Sequence, residues 1–248
     1  MAELNKKEFL FELWRVFALN NIDNLLNDEK AEKLYAFTEI MLRENEKYNL
    51  TSITEPNKII LLHFADSLIY AREFSVGASV IDVGCGAGFP SVPLAICRPD
   101  LRVTALDSTA KRVNYVKSVS DELCLGITAV CARAEDASKA GKENTLREKY
   151  DYSTARAVAN LPVLCELCIP MVKVGGAFVA MKGRNGEEEL SASQNAIKIL
   201  SGRVKKTEKT ILTDGEETQE RVLAVIEKIG NTKKEYPRQY SQISKKPL

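Results

Sequence analysis

Histidine is nearly absent from this sequence, with one residue, His63, in 248. A single imidazole excludes metal sites built on two histidines and any mechanism that needs a pair of imidazoles. Long apolar runs are also missing, since the most apolar stretch, residues 59–71, contains His63, Asp66 and Ser67. The N-terminus lacks the basic-then-apolar pattern of a signal peptide. We therefore expect a cytoplasmic protein with reduced thiols that binds neither a membrane nor a metal.

The chain has almost no excess charge, with 35 Lys and Arg residues against 34 Asp and Glu, a net charge of +1. This balance argues against a protein that holds nucleic acid by overall charge alone. The charges are unevenly distributed, however. Residues 1–50 contain seven basic and ten acidic residues, whereas residues 231–248 contain five basic residues and one acidic residue. The sequence therefore has an acidic beginning and a basic tail, so positive groups can be concentrated locally.

The order of apolar patterns predicts an α/β fold preceded by helices. Phe9, Leu13 and Phe17 repeat at four-residue spacing, and Pro56 suits the first turn of a later helix that should run to about residue 74. Beyond this point, five β-rich runs alternate with helical runs, which predicts parallel strands. The last two β-rich runs, residues 203–212 and 221–229, are too close for a crossover helix and should form an antiparallel hairpin.

Three alternating glycines follow the first predicted strand, in the sequence Asp82-Val83-Gly84-Cys85-Gly86-Ala87-Gly88-Phe89. Glycine lets the backbone turn sharply and lets a ligand approach where a Cβ would collide with it. A dinucleotide-binding loop would have glycine in place of Phe89, and no Gly-Lys-Ser/Thr follows as in a P-loop. The pattern resembles motif I of class I methyltransferases, which bind S-adenosylmethionine. In that fold, Asp107 would accept the ribose hydroxyls and Glu135 would lie near the adenine.

The residues after the fourth predicted strand bear on the acceptor of a methyl group. Thr154-Ala155-Arg156-Ala157 lacks the Asn/Asp-Pro-Pro-Tyr/Phe run of enzymes that methylate exocyclic amines. Neither Thr154 nor Ala155 is the cysteine that methylation of pyrimidine C5 requires. Guanine N7 fits better, because its lone pair is unprotonated at neutral pH and needs only proximity and alignment. These missing motifs favour N7.

A series of motifs makes the resemblance specific. They are Tyr48-Asn49-Leu50-Thr51, His63-Phe64-Ala65-Asp66-Ser67-Leu68, the glycine-rich run, Leu106-Asp107-Ser108 with Lys111-Arg112, Ala155-Arg156-Ala157-Val158, Lys182-Gly183, Tyr236-Pro237-Arg238 and Lys246-Pro247-Leu248. In this order they resemble the bacterial ribosomal RNA small subunit methyltransferase G family, also called glucose-inhibited division protein B. The sequence departs from the family pattern at Ser91, where many members have Gly, and at Ala155, where many have Ser. Ser91 has N-capping chemistry.

The resemblance implies a class I methyltransferase with a Rossmann-like seven-stranded sheet, a C-terminal antiparallel hairpin and an N-terminal helical cap. It implies that the enzyme transfers a methyl group from S-adenosyl-L-methionine to N7 of one guanine in the 530 loop of 16S rRNA. The partner would be the small ribosomal subunit or its assembly intermediate, and we expect a monomer. We assign residues 1–75 to the cap, 76–230 to the methyltransferase domain and 231–248 to a basic tail near the active site.

The expected site residues follow from the same resemblance. The cofactor-binding set is Asp82, Gly84, Gly86, Gly88, Phe89, Asp107, Ala134, Glu135 and Arg156. The RNA-binding set is His63, Asp66, Ser67, Lys111, Arg112, Lys182 and Arg238. Arg156 and Lys182 are the candidates for positioning the guanine, and no catalytic base is assigned because in-line transfer to N7 needs none.

Other interpretations of the same residues remain open. The main alternative is a noncatalytic methyltransferase-like protein that binds RNA or assists ribosome assembly, and a small-molecule methyltransferase is the third. A Ser-His-Asp hydrolase is disfavoured because Gly-x-Ser-x-Gly is missing. Cys165 and Cys168 have the spacing of a zinc or redox pair, but the sequence offers no further Cys pair or His cluster to complete a site. We expect them to be buried free thiols.

Overall fold

The structure, a computed structural model, describes residues 5–156 and 158–248. Ala157, which belongs to the predicted motif after the fourth strand, and the first four residues lie outside the described part. Seven strands form one sheet, as predicted. They are β1 (Ser79–Val83), β2 (Arg102–Asp107), β3 (Thr128–Cys131), β4 (Tyr150–Ala155), β5 (Val172–Lys182), β6 (Gly202–Thr213) and β7 (Thr218–Lys228).

The strands are ordered β3-β2-β1-β4-β5-β7-β6 across the sheet. The first five are parallel, and β7 runs antiparallel to both β5 and β6, which gives the predicted terminal hairpin. In register, Asp82 of β1 lies beside Ala105 of β2 and Thr154 of β4. Strands β2 and β3 lie on one side of β1, and the chain then crosses to the other side of β1 to form β4. Ligands bind at such a reversal, beyond the carboxyl ends of the strands.

The helices surround the sheet on both faces. They are α1 (Lys6–Leu19), α2 (Asp28–Tyr48), α3 (Pro56–Ile59), α4 (Asp66–Leu68), α5 (Ser91–Cys97), α6 (Ala110–Glu122), α7 (Ala134–Ala137), α8 (Leu161–Cys168), α9 (Gly186–Ala192), α10 (Gln194–Ile199) and α11 (Tyr240–Lys245). Within the described residues, none of the helices is both long and apolar enough to cross a membrane.

The N-terminal helices have clear starts and stops. The Asn5 side chain accepts a hydrogen bond from the backbone of Glu8 at the start of α1, and Asn27 does the same for Lys30 at the start of α2. Helix α2 ends at Asn49, which has a φ of 50°, a left-handed conformation that asparagine tolerates better than most residues. This turn directs the chain toward the carboxyl edge of the sheet.

Two predicted helices end earlier than the sequence indicates, which is near residue 74 for the first and near Val172 for the second. The helix that begins at Pro56 is π-helical over Ile60–Ala65 and stops at Leu68, followed by a 3₁₀ turn at Ala71–Glu73, so the predicted end near residue 74 was wrong. Helix α8 stops at Cys168 and gives way to a 3₁₀ turn over Ile169–Met171. Pro170 fits the second difference, because proline has no N–H to donate to the carbonyl four residues earlier, so the α-helical hydrogen bonds cannot continue through it.

Two apolar clusters lie on opposite faces of the sheet, because neighbouring strand residues point to opposite sides. Val80 belongs to the cluster that contains the N-terminal helices, α5 and α6, whereas Ile81 belongs to the cluster under α8, α9 and α10. Phe37 of α2 is fully buried, with ring centroids 5.9 Å from Phe64 and 5.4 Å from Phe89. Its ring therefore joins the N-terminal helices to the residue that ends the glycine-rich run.

We predict that Phe37→Ala lowers the free energy of unfolding by about 3–5 kcal/mol, because it leaves a cavity beside the rings of Phe64 and Phe89. Urea unfolding measures this loss. Phe11→Ala is the matched control, since Phe11 lies on α1 with 68% of its surface exposed, and we expect a change within about 0.5 kcal/mol. Equal losses for the two variants would contradict the role given to Phe37.

Candidate functional site

A cavity of about 510 Å³ opens at the carboxyl ends of β1, β2 and β4. Its wall is formed by the glycine-rich run, by the segments that follow β2, β3 and β4, and by residues 50, 51 and 63 of the N-terminal helical part. Tyr240 of α11 also contributes to the wall. The cavity therefore lies where the fold reverses direction, between the sheet and the helices that precede it.

The glycine-rich run turns tightly above β1. Gly84, Gly86 and Gly88 have φ values of 79°, 54° and 91°, which favour glycine over residues with a Cβ. A Cβ on Gly84 would come within 2.6 Å of the Val158 side chain, and one on Gly88 within 2.7 Å of Val92. A Cβ on Gly86 would meet only Gly84 O, at 3.9 Å. Gly84 and Gly88 thus permit close packing, whereas Gly86 keeps space in the cavity open.

Asp82 lies below this run and is completely buried. Its Oδ2 accepts hydrogen bonds from the backbone N–H of Ser91, at 3.1 Å, and from the Ser91 hydroxyl. Burial raises the pKa of Asp82 to about 6. Ser91 is the first residue of α5 and donates to Asp82, while Pro90 occupies the capping position. The sequence suggested N-capping for Ser91; its hydroxyl instead ties α5 to the end of β1.

Asp107 and Glu135 place two carboxylates along the cavity wall. Asp107 Oδ2 accepts from Gly86 N at 3.1 Å, and Oδ1 accepts from Thr109 N at 2.8 Å. These bonds fix the orientation of the carboxylate and leave further lone pairs for a ligand. Glu135 is buried within the short helix α7 and lies beside Ala134 in the wall. The structure therefore brings both predicted acids to one cavity.

Arg156, at the end of β4, links the glycine-rich run to the N-terminal helices. Its Nη1 donates to Leu62 O at 2.6 Å and to Asp66 Oδ2 at 3.1 Å, and its Nη2 donates to His63 Nδ1 at 3.2 Å. The guanidinium carbon lies 5.2 Å from the centroid of the Phe89 ring. The same ring stacks on His63 at 4.2 Å with an interplanar angle of 16°. Arg156 is thus held by several partners at the edge of the cavity.

The hydrogen bonds of His63 define its tautomer. Arginine can only donate, so Nδ1 accepts from Arg156 and the ring proton lies on Nε2. Nε2 lies 2.9 Å from Thr51 Oγ1, which also accepts from Ile53 N at 3.1 Å. Burial and the nearby Arg156 charge lower the pKa of His63 to about 3. His63 is therefore neutral near physiological pH, and it orients the Thr51 hydroxyl at the cavity wall.

Asp66 and Ser67, both predicted to contact RNA, have buried partners. Asp66 lies between two guanidinium groups, with Oδ2 at 3.1 Å from Arg156 Nη1 and Oδ1 at 2.6 Å from Arg221 Nε. The Ser67 hydroxyl donates to His63 O at 2.5 Å. Asp66 therefore ties the π-helical segment to both β4 and β7, and Ser67 supports His63 from below. Neither residue is among those that line the described cavity; their contact with RNA stays a prediction.

The predicted basic RNA contacts divide into two groups. Arg112 lines the cavity, with its Nη1 3.7 Å from Asp107 Oδ2, and Lys111 lies over the Tyr48 ring at 4.5 Å. Lys182 instead pairs with Glu189 at 2.8 Å and donates to Ala159 O at 2.9 Å. It thereby fixes the loop that carries Val158. The expected contact of Lys182 with guanine or RNA stays a prediction.

Arg238, the remaining basic residue, anchors the C-terminal segment. Its backbone N and side chain donate to Glu166, which is completely buried on α8, at distances of 2.7–3.2 Å. Arg147 Nη1 donates to Tyr236 O at 2.7 Å, and Ile243 of α11 is fully buried. These contacts bring the tail to the cavity, where Tyr240 forms part of the wall. Sequence reasoning assigned Arg238 to RNA and gave Glu166 and Tyr240 no role.

The two cysteines with zinc-like spacing and the cysteine of the glycine-rich run are all buried. Cys165 and Cys168 are buried free thiols, as predicted, and burial raises the pKa of each. Burial likewise raises the pKa of the Cys85 thiol in the glycine-rich run. In the described part of the chain, no group of three or more His, Cys, Asp or Glu side chains could hold a metal ion. Ala155 is fully buried beside Ala180, so its departure from the family pattern lies in the core.

Comparison with known proteins gives a consistent result over most of the chain. The family model described as "GidB: rRNA small subunit methyltransferase G" matches residues 30–218. The ribosomal RNA small subunit methyltransferase G of Lactobacillus acidophilus is 41% identical over 250 residues, which cover 99% of this chain and 100% of that protein. The protein of the same name from Alkaliphilus metalliredigens is 45% identical over 226 residues and covers 90% of this chain and 92% of its own.

Solved structures resemble this chain at lower identity. An O-methyltransferase from Bacillus cereus in complex with SAH superposes with a TM-score of 0.53 at 17% identity, over 77% of this chain and 91% of its own. The TYW2 protein of M. jannaschii in complex with AdoMet gives a TM-score of 0.52 at 14% identity, over 66% and 77% of the two chains. This likeness shows the fold alone, and it confirms the predicted fold class.

The single histidine allows a direct test of its charge state. We predict that the imidazole resonance of the folded protein does not titrate between about pH 5 and pH 8, the range in which an ordinary histidine changes charge. In urea the same resonance should titrate near its usual value of 6.5. Because the folded pKa is lower than the unfolded one, His63 adds stability above that value, and this stability is lost as the pH falls toward 3. A folded-state midpoint near 6.5 would contradict the hydrogen-bond assignment.

The contact between Arg238 and Glu166 leads to a second prediction, which concerns stability. Arg238→Ala leaves a carboxylate buried without its charged partner, and we expect the free energy of unfolding to fall by about 3–5 kcal/mol. Arg203→Ala is the matched control, because Arg203 pairs with Glu227 on the exposed hairpin and such pairs contribute about 0–1 kcal/mol. Urea unfolding of both variants measures the difference. A change as small as the control's would show that the tail is not held by this pair.

Proposed function

The chain belongs to the rRNA small subunit methyltransferase G family, as its motif series predicted, and from that premise we propose that it methylates N7 of one guanine in 16S rRNA. The coarser activity, methylation of ribosomal RNA with S-adenosylmethionine as donor, follows from family membership. The finer proposal places the guanine in the 530 loop. The family resemblance is the support for that loop. The N7 acceptor is supported by one observation, a cavity lined on one side by the glycine-rich run and two carboxylates and on the other by a neutral His63 and Arg156.

The residues around the cavity fit S-adenosylmethionine. Gly86 leaves open space where a side chain would project, so the backbone can approach a ligand closely. Asp107 is held by two backbone N–H groups and keeps lone pairs for the two ribose hydroxyls. Glu135 and Ala134 form the wall at which we place the adenine. Asp82, bound to Ser91 and completely buried, supports the run from below and does not reach the cavity.

The atom that accepts the methyl group determines whether the enzyme must remove a proton. The bound cofactor supplies a methyl group on a positively charged sulfur, which a lone pair aligned with the carbon–sulfur bond can attack. Guanine N7 has such a lone pair at neutral pH, so no residue needs to remove a proton. His63 is poorly suited to do so, since Nδ1 accepts from Arg156 and burial lowers its pKa to about 3. With His63 unsuited to this role and the two carboxylates assigned to the cofactor, an acceptor that is already nucleophilic fits the site best.

Arg156 is our candidate for positioning the guanine. Three of its hydrogen bonds go to Leu62, Asp66 and His63, and its remaining N–H groups have no partner among the described residues. One of these groups can donate to guanine O6. It cannot bind N7 itself, because that bond would occupy the lone pair that attacks the methyl group. We propose that residues 1–75 form the RNA side of the cavity, 76–230 hold the cofactor and 231–248 close one end.

The test uses small ribosomal subunits from cells that lack this gene. After incubation with the purified protein and S-adenosylmethionine, chemical cleavage at N7-methylguanine followed by reverse transcription should give one new stop, within the 530 loop. Nucleoside mass spectrometry should identify 7-methylguanosine. An unchanged stop pattern, or a different methylated nucleoside, would overturn the proposed acceptor.

Asp107→Ala tests the cofactor side of the proposal. We expect the Kd for S-adenosylhomocysteine to rise about tenfold to a hundredfold, the loss expected for hydrogen bonds to a charged group, with little change in RNA binding. Asp121→Ala is the control, because Asp121 is an exposed acid on α6 that pairs with Lys117. Similar affinities for the two variants would remove Asp107 from the cofactor site.

A further inference from the structure

We propose that Tyr240, from the C-terminal segment, binds the cofactor by stacking its ring on the adenine. This inference rests on the proposed function, because it takes S-adenosylmethionine as the ligand of the cavity. It adds a residue that neither the glycine-rich run nor the strand-end acids supply. It also gives the C-terminal segment a role in cofactor binding, where its basic composition had pointed only to RNA.

The position of Tyr240 is the first observation. Tyr240 lines the same cavity of about 510 Å³ as Ala134, Glu135 and Leu167. Ala134 and Glu135 follow β3, where we place the adenine, and Leu167 lies on α8. Helix α8 also carries Glu166, the buried partner of Arg238. The tail is therefore fastened to the helix that borders this part of the cavity, two residues before Tyr240.

The firmness of that attachment is the second observation. Glu166 is completely buried, and a buried carboxylate is tolerated only when it is paired and hydrogen-bonded. Arg238 provides both its backbone N–H, at 2.8 Å, and its guanidinium, at 2.7 Å. Arg238 Nη2 also donates to Lys246 O at 3.1 Å, which closes the segment around α11. The C-terminal segment is thus a fixed part of the site, so a side chain on it can be held in place for a ligand.

The orientation of α11 is the third observation. Ile243 is fully buried, whereas Tyr240, three residues earlier, keeps 39% of its surface exposed at the cavity. A helix that buries an aliphatic anchor and places an aromatic side chain in a cavity wall allows that ring to meet a flat partner there. Stacking of a base on an aromatic side chain suits any purine and needs no hydrogen bond to specify it. The adenine of the cofactor has this chemistry.

The guanine of the RNA is the other purine that could reach the cavity, and the test separates the two. Binding of S-adenosylhomocysteine and of 5′-methylthioadenosine is measured calorimetrically in the absence of RNA, for the full chain and its variants. Tyr240→Ala should weaken both ligands by about fivefold to a hundredfold, the range that base stacking gives on alanine substitution. Tyr240→Phe keeps the ring and should bind within about twofold of the original chain.

Ser241→Ala is the matched control, since Ser241 is an exposed neighbour on the same helix, and it should leave both affinities unchanged. Melting temperatures of all variants, measured without ligand, show whether Tyr240→Ala still folds. Unchanged affinity in a folded Tyr240→Ala would overturn the inference, and a loss confined to RNA binding would do the same by assigning the ring to the guanine. If the unaltered chain binds neither ligand, the proposed function itself fails.

Discussion

The buried guanidinium of Arg156 is the interaction on which the rest of the site depends. It joins β4 to the π-helical segment through Leu62, His63 and Asp66, and it lies against the Phe89 ring at the end of the glycine-rich run. A buried charge costs several kcal/mol unless it is paired and its donors are satisfied. The N-terminal helices supply these partners, so the site and the helices that cover it stabilise one another.

Asp66 extends this connection to the last hairpin. Its carboxylate accepts from both Arg156 and Arg221, and Arg221 lies on β7 at the opposite end of the chain sequence from the cap. One carboxylate thus holds together β4, β7 and the π-helical segment. The π-helix over Ile60–Ala65 is consistent with these contacts, because its inserted residue changes which side chains face inward. Such bulges are frequent at functional sites. Hydrogen bonds and packing around Arg156 therefore explain why Asp66 and Ser67 face the protein interior.

The sequence predicted the sheet well because each strand carries its own local pattern of β-branched residues and each βα unit repeats it. The glycine-rich run and the two strand-end acids were also predictable, since their spacing is set by the backbone alone. Thr51, Glu166 and Tyr240 could not be assigned in this way. Each depends on a contact between distant segments, such as Thr51 with His63 or Glu166 with Arg238, which no local pattern records. Thr51 lies within a matched motif and Tyr240 lies two residues after one, whereas no motif marked Glu166.

The points at which two helices end, Leu68 and Cys168, were not predicted from the sequence for a related reason. Apolar residues continue past both points, but each helix is followed by a 3₁₀ turn, Ala71–Glu73 in the first case and Ile169–Met171 in the second. Periodicity predicts which side chains face the core better than it predicts where a helix stops. The short helices α9, α10 and α11 have too few turns to show a period, and their positions follow from packing on the sheet or on α8.

The position of the tail in the structure changes how many of its positive charges are available to RNA. Residues 231–248 contain five basic residues and one acidic residue, but Arg238 is neutralised by Glu166 in the interior. The basic tail residues that remain exposed are lysines, namely Lys233, Lys234, Lys245 and Lys246. Counting charges along the sequence therefore overstates the positive field that the tail offers to RNA. The same pairing instead fixes the tail at the cavity.

Two buried groups set how the site responds to acid, and they act in opposite directions. His63 has a pKa lowered to about 3, so it contributes stability above its usual value of 6.5 and loses it as the pH falls. Asp82 has a pKa raised from 3.8 to about 6, so it contributes stability at low pH and loses it as the pH rises toward 6. Above both ranges His63 is neutral and Asp82 is ionised. The charges of these two groups are then constant, so the contacts that they make around the cavity do not change with pH in that range.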